Sequence, residues 1–300
     1  MRDPSNRWRL LPFLIGTLLP FITHTESNAQ GQTRSIHVTA VGRDNRPITD
    51  LELSDFGVKV NGRTAAVLGV RHAESPLKVA VIVSDAGTGV FQEAVQRFAE
   101  RLVPHAEVAL IRADLGAHRL LAYSSDPVAV VAASRRLGPR GGRGATLVDI
   151  IDAVGHEEHP KGTRRAIVVV STGDENDSGF RPDVVRRHLR ESGAALYVLS
   201  ALGEQLTTPS GVGAAMLPTS AGLLDLNLVL EDGARESGGW HERIVFSDTM
   251  IPALDRLVGE LLNQYLVELS VPFDSGPEAK LSILAKRGGI KLRAALRLNP

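Results

Sequence analysis

Oxygen-bearing side chains lie in three glycine-containing segments of the sequence, and these are the residues best suited to chemistry. Asp85 opens the first segment, Thr146 closes the second, and Thr172 and Asp174 lie in the third. Carboxylates and hydroxyls are the ligands that Mg²⁺ and similar cations prefer. The three segments therefore predict one ligand-binding point, provided that the fold brings them together.

The strands and helices around these three segments are predicted to bring them together. Residues 79–83 and 166–170 are apolar throughout, as expected of strands buried on both faces, and helical patterns follow each of them. Strands that alternate with helices predict a Rossmann-like, doubly wound α/β fold with a mostly parallel sheet. Ligands of such sheets bind beyond the carboxyl ends of the strands, where the segments of Asp85 and Thr172 begin.

A second, smaller β unit is predicted from the two ends of the chain. Residues 36–40, 56–60 and 65–68 have strand patterns, with Asn61-Gly62 as a hairpin turn. Residues 265–296 return to strands after an amphipathic helix over 251–263. Because isolated hairpins are marginal in water, we expect the two groups of strands to share one sheet.

Composition excludes several functional classes. The 300 residues carry 34 Lys and Arg against 34 Asp and Glu, so no net charge favours binding to nucleic acid. The chain has no cysteine, which excludes disulfides, thiol catalysis and cysteine-ligated zinc.

The N-terminal residues are typical of a secretory signal peptide. Arg2, Arg7 and Arg9 precede an apolar run over residues 10–22, and small residues end at Ala29. A membrane anchor is the alternative, but the run is shorter than the roughly 20 residues that a spanning helix needs. We therefore expect an exported protein, periplasmic or extracellular, with no membrane attachment after cleavage.

Four segments follow from these patterns. We predict a signal peptide over residues 1–29, an N-terminal β segment over 30–75, an α/β domain over 76–263, and C-terminal strands over 264–300 that pack with the N-terminal segment.

The order of these pieces resembles the von Willebrand factor type A (VWA) fold, in particular the VWFA-related family of acidobacterial type. Asp50-Leu51 and Ser54-Asp55-Phe56 before Asn61-Gly62 are similar to that family's N-terminal segment, and Gln264-Tyr265-Leu266 is similar to its C-terminal part. The resemblance implies a metal ion-dependent adhesion site with a D-x-S-x-S loop, a threonine in the second loop and an aspartate in the third.

This chain departs from that pattern. Asp85 and Thr146 match, but Gly87 and Gly89 replace the two serines, and Thr172 replaces the third-loop aspartate, for which Asp174 could substitute. One interpretation is that Asp85 and Thr146 hold a weakly bound Mg²⁺ or Mn²⁺. The other, which the lost oxygens favour, is that both residues only cap the helices after them and no cofactor binds.

No other motif gives stronger support to a function. His156-Glu157-Glu158-His159 lacks H-E-x-x-H spacing and is interpreted as a solvated turn. No G-x-S-x-G elbow or phosphate-binding loop is present.

We therefore predict an exported, non-enzymatic interaction module that binds a protein or peptide through the loops of Asp85, Gly87, Gly89, Thr146 and Thr172. The alternatives are a structural or scaffold protein with no working metal site and, ranked last, a hydrolase with a non-standard site.

Overall fold

The computed structural model describes residues 31–114, 116–139, 147–172, 180–201, 225–245, 249–276 and 278–298. The predicted signal peptide, Thr146 and Asp174 lie outside these residues. Among the described helices, none has the length and apolar character needed to cross a membrane. Residues from Gly31 onward form one compact unit that contains two six-stranded sheets.

The larger layer is the predicted α/β sheet. Its strands are β4 (Leu77–Ser84), β5 (Glu107–Asp114), β6 (Gly116–Ser124), β7 (Arg164–Ser171), β8 (Ala195–Ala201) and β9 (Trp240–Ile244). Their spatial order is β6-β5-β4-β7-β8-β9, and every neighbouring pair is parallel except β5 with β6. The prediction of a Rossmann-like, mostly parallel sheet is confirmed, with one antiparallel edge strand.

Helices cover both faces of this sheet. They are α1 (Gln92–Leu102), α2 (Pro127–Ser134), α3 (Leu147–Gly155), α4 (Pro182–Ser192), α5 (Ala234–Ser237) and α6 (Met250–Leu262), with a π-helical segment at Leu228–Gly233 before α5. Helices α1, α2 and α6 pack on one face against Val79, Val81 and Val83. Helices α3 and α4 and the π-helical segment pack on the other against Ala80 and Ile82. Alternate residues of β4 thus supply two separate cores, as a fully buried strand requires.

The second sheet is antiparallel, with the order β11-β2-β3-β10-β1-β12. Its strands are β1 (Gln32–Val41), β2 (Phe56–Val60), β3 (Arg63–His72), β10 (Tyr265–Val271), β11 (Leu281–Ala285) and β12 (Lys291–Arg293). Strand β10 lies between β1 and β3, so strands from distant parts of the chain alternate in one sheet. Leu281 N–H donates to the Leu296 carbonyl at 2.7 Å, which draws the two edges toward a closed barrel.

Buried polar contacts join the two layers. Gln264 donates from Nε2 to Thr39 Oγ1 at 3.2 Å, and its Oε1 accepts a bond from Arg164 at 3.2 Å. Glu260 accepts a bond from Trp240 Nε1 at 2.9 Å and pairs with Arg293. The domain boundaries at residues 75/76 and 263/264 fall between elements and stay a prediction.

Candidate functional site

The central strands β4 and β7 form the point where the sheet changes its direction of winding. They are parallel neighbours, yet the helix that follows β4 (α1) covers one face and the helix that follows β7 (α4) covers the other. The connections that leave the two strands therefore diverge. In open α/β sheets this divergence creates the crevice in which ligands bind.

Asp85 lies at this point, directly after β4, and its side chain closes its own loop. Gly87 N–H donates to Oδ1 at 3.1 Å, and Gly89 N–H donates to Oδ2 at 2.7 Å. Thr88 Oγ1 donates to the Asp85 carbonyl at 2.9 Å. Both carboxylate oxygens are thus bound by main-chain donors from residues 87–89.

Backbone conformation explains why glycine occupies the two serine positions. Gly87 and Gly89 both have φ of +73°, and Ala86 between Asp85 and Gly87 has φ of +52°. A β-carbon on Gly89 would lie 2.7 Å from both the nitrogen and Cδ of Pro139. Serine at position 89 would therefore be strained by its backbone and would collide with the neighbouring turn.

Asp85 is 2% exposed, and this burial raises the pKa of its carboxyl above the usual 3.8, while the N–H donors of Gly89 and Gly87 act in the opposite direction. The expectation that Asp85 caps the next helix is wrong. Helix α1 begins at Gln92, and its N-cap residue is Phe91, which makes no side-chain capping bond; the Asp85 carboxylate binds N–H groups of its own loop instead.

Thr172 follows β7 and lies beside the Asp85 loop. Its N–H donates to the Ser84 carbonyl at 2.9 Å, which ties the ends of β4 and β7 together. The side chain is partly buried. The structure thus brings Asp85, Gly87, Gly89 and Thr172 to one place, while Thr146 and Asp174 lie outside the described residues.

The described residues do not fit a magnesium site of the adhesion type. Mg²⁺ needs about six oxygens in octahedral array. Asp85 has both oxygens bound to amides, Gly87 and Gly89 have no side-chain oxygen, and Thr172 offers one hydroxyl. The described part of this edge therefore lacks the ligands that a magnesium-bridged contact needs.

Exposed apolar side chains surround the same edge of the sheet. Val90 follows the Asp85 loop, Phe180 lies two positions before α4, and Val245 follows β9, with exposures of 40%, 47% and 56%. Because all three lie in connections that leave carboxyl ends of strands, they share an edge with Asp85 and Thr172. We call these five residues the carboxyl-end face. Exposed apolar side chains at this edge are available for contact with a partner.

A serine and a histidine meet near the same edge without forming an open catalytic site. Ser200 Oγ lies 2.6 Å from His241 Nε2, and His241 Nδ1 lies 3.9 Å from Glu231, which Arg243 binds at 2.7 Å. Ser200 is 7% exposed, and burial lowers the pKa of His241. A nucleophile must reach substrate, and this buried hydroxyl is poorly placed to do so.

Two histidines interpreted as part of a solvated turn have specific environments. The side chain of His159 is 6% exposed and packs against the edge of Tyr123 at 5.2 Å between ring centroids, so the interpretation is wrong for this residue. His156 lies beside Asp152 and His188. Asp152 and His156 are four positions apart at a helix end, and this spacing could have indicated from the sequence that their side chains are close. The position of His188 beside them could not be predicted, because it depends on how the helices pack.

Comparison with known proteins gives structural similarities only. No family model matches the sequence, and no curated protein matches it significantly. Similar solved structures include BatB from Bacteroides thetaiotaomicron (15% identity, TM-score 0.45, covering 60% of this chain and 97% of that one). Others are the von Willebrand factor type A protein from Catenulispora acidiphila (11%, 0.46, 91% and 75%) and the vWF domain of the type V pili tip protein Mfa5 from Porphyromonas gingivalis (11%, 0.41, 61% and 94%). The fold and the candidate site therefore rest on the chain's own geometry.

Proposed function

We propose that this chain is an exported, non-enzymatic interaction module of the von Willebrand A type, which binds a protein or peptide at the carboxyl-end face. The observation that carries the proposal is the position of the Asp85 loop at the β4/β7 switch point, where α/β sheets bind their ligands. The strand order and the sequence resemblance support the assignment of the module type.

The conformation of the Asp85 loop favours recognition by a rigid surface. Positive φ at Ala86, Gly87 and Gly89 accompanies the two bonds to Asp85, and Pro139 lies close enough to Gly89 to leave no room for a β-carbon there. Backbone held in such regions is concentrated at functional sites, and a rigid surface loses little conformational entropy on binding.

The partner is recognised without a bridging magnesium ion in this proposal. Among the described positions of the family's metal-site pattern, only Asp85 and Thr172 offer side-chain oxygens, and both Asp85 oxygens already accept amide hydrogen bonds, which favours recognition without a cation. Val90, Phe180 and Val245 supply apolar contact area instead. A weakly bound Mg²⁺ or Mn²⁺ at Asp85 would make partner binding sensitive to chelator.

A displayed-peptide selection on the full chain tests the proposal. Selected peptides should lose at least about tenfold in affinity when Phe180→Glu or Val245→Glu places a charge on the apolar face, since hot-spot contacts cost this much or more. Leu68→Glu is the matched control, because Leu68 on β3 is 51% exposed and Phe180 is 47% exposed. Affinity should be equal in chelator and in excess Mg²⁺.

Peptides that bind all three variants equally would overturn the proposed surface and favour the scaffold alternative, in which partners use other surfaces. Loss of binding in chelator, together with loss in Asp85→Ala, would instead establish that a cation takes part.

A further inference from the structure

We propose that Asp152, His156 and His188 form a binding site for one divalent transition metal, with zinc as the preferred ion, at the edge of the sheet opposite to the carboxyl-end face. The site is separate from the proposed interaction surface and does not depend on it. Asp152 lies in the last turn of α3, His156 follows α3, and His188 lies within α4.

The three side chains converge from two helices. His188 Nδ1 lies 2.8 Å from Asp152 Oδ1, and His156 Nδ1 lies 3.5 Å from Asp152 Oδ2. The two imidazole rings are 4.4 Å apart between centroids and nearly perpendicular, at 80°. One ligand atom from each residue lies within 4.8 Å of the other two.

These separations suit a metal that binds all three. Zinc bonds to nitrogen and oxygen at about 2.0–2.1 Å, which places two ligands of a tetrahedral site roughly 3.3 Å apart. The carboxylate–imidazole distances of 2.8 and 3.5 Å lie on either side of that value. All three ligand atoms lie within 4.8 Å of one another, so side-chain rotations that bring the two imidazoles to the same spacing would admit the ion.

The helices that carry the ligands are fixed relative to each other. Arg165, at the start of β7, donates to the carbonyls of Val154 and Gly155 at the end of α3 and to the carbonyl of Ser192 at the end of α4. One guanidinium thus joins the last turns of both helices. Because the ligand-bearing helices are already fixed, less free energy is spent on ordering them when the metal binds.

Exposure differs among the ligands in a way that suits an open site. The Asp152 side chain is 8% exposed and that of His188 is 21% exposed, whereas that of His156 is 54% exposed. A metal would therefore reach the cluster from the side of His156 and keep one position for water. Two imidazoles and one carboxylate form a donor set that suits zinc among the common divalent ions.

Hydrogen bonding is the alternative explanation of this cluster. Neutral His188 can donate to the Asp152 carboxylate, and His156 Nδ1 lies 2.9 Å from the Asp152 carbonyl, so both rings have a partner without a metal. The two explanations differ in whether removing one histidine changes the affinity for zinc.

Calorimetric titration of the full chain, prepared without a histidine tag and stripped with chelator, distinguishes them. We expect one Zn²⁺ per chain, and at least about tenfold weaker binding in His156→Ala and in His188→Ala, since even the loss of a residue that supports a ligand costs 10–100-fold. His105→Ala is the matched control, because His105 is an exposed histidine in the turn after α1. Its affinity should equal that of the wild type.

Asp85→Ala should also bind zinc as the wild type does, which separates this site from the Asp85 loop. Co²⁺ bound in place of zinc should give visible absorption bands that disappear in His156→Ala. His156 is half exposed, so this variant is expected to fold even if His188→Ala does not, and circular dichroism without metal checks both. The absence of stoichiometric zinc binding, or equal affinity in the wild type and His156→Ala, would overturn the proposal.

Discussion

Two buried aspartates, Asp85 and Asp152, belong to opposite edges of the parallel sheet and have opposite kinds of partner. Asp85 follows the carboxyl end of β4 and accepts bonds from main-chain N–H groups of its own loop. Asp152 lies near the amino end of β7 and faces the side chains of two histidines. Main-chain partners fix a loop, whereas imidazoles can exchange a hydrogen bond for a metal. The residue that the family pattern marks as a ligand is thus the one whose oxygens hold its own loop.

Replacing Gly89 by serine tests how firmly the Asp85 loop is fixed, and it should have the largest effect. We expect a loss of about 3 kcal/mol in the free energy of unfolding, because left-handed backbone strain adds to the collision with Pro139. Gly62→Ser is the matched control: Gly62 has φ of +80° but no atom within 4 Å of an added β-carbon. It should lose only about 1 kcal/mol.

Urea unfolding at neutral pH measures both variants. Equal losses would mean that the Asp85 loop can move away from Pro139. The presence of glycine rather than serine at position 89 would then need another explanation. The Asp85 loop would also be less firmly fixed than the comparison with Asp152 requires.

Alanine substitutions at the two aspartates compare their partners directly. Asp85→Ala should lose about 2 kcal/mol of stability, because two buried N–H groups lose their acceptor. Zinc should still raise its unfolding temperature, since a ligand that binds the native state stabilises it. Asp152→Ala should show little or no shift in unfolding temperature with zinc. Thermal melts of both variants, with zinc and with chelator, measure these shifts. If zinc still raises the unfolding temperature of Asp152→Ala, the two aspartates do not differ in metal binding.

The pH dependence of stability gives the smallest effect. Burial raises the pKa of Asp85 in the folded chain above its unfolded value of 3.8, so the folded state holds this proton more tightly. The resulting stabilisation is complete below pH 3.8 and is lost as the pH rises through the folded-state pKa. The stability of the wild type relative to Asp85→Asn should therefore fall between acidic and neutral pH.

Urea unfolding of both chains at several pH values checks this direction. If the relative stability of the wild type rises toward neutral pH, the bonds from Gly87 and Gly89 outweigh burial, and the pKa of Asp85 is lowered instead.

Sequence patterns could predict the α/β sheet because burial has a direct signature. The apolar residues 79–83 and 166–170 form β4 and β7, as predicted, but that the two strands are neighbours depends on the strand order of the folded sheet. The binding of both Asp85 oxygens could not be predicted, because it depends on the φ angles of residues 86–89 and on the position of Pro139. Asp152 and His188 are 36 positions apart, and only the packing of α3 against α4 brings them together.

The alternation of strands in the antiparallel sheet has a consequence for how the chain is made. Thr39 and Gln264, whose side chains form a hydrogen bond, are 225 positions apart, and β1 cannot pair with β10 until nearly the whole chain has been synthesised. Contacts of such high sequence separation slow folding and leave strand edges unpaired for longer. Strands β1 and β3 therefore each keep an unpaired edge until β10 arrives between them.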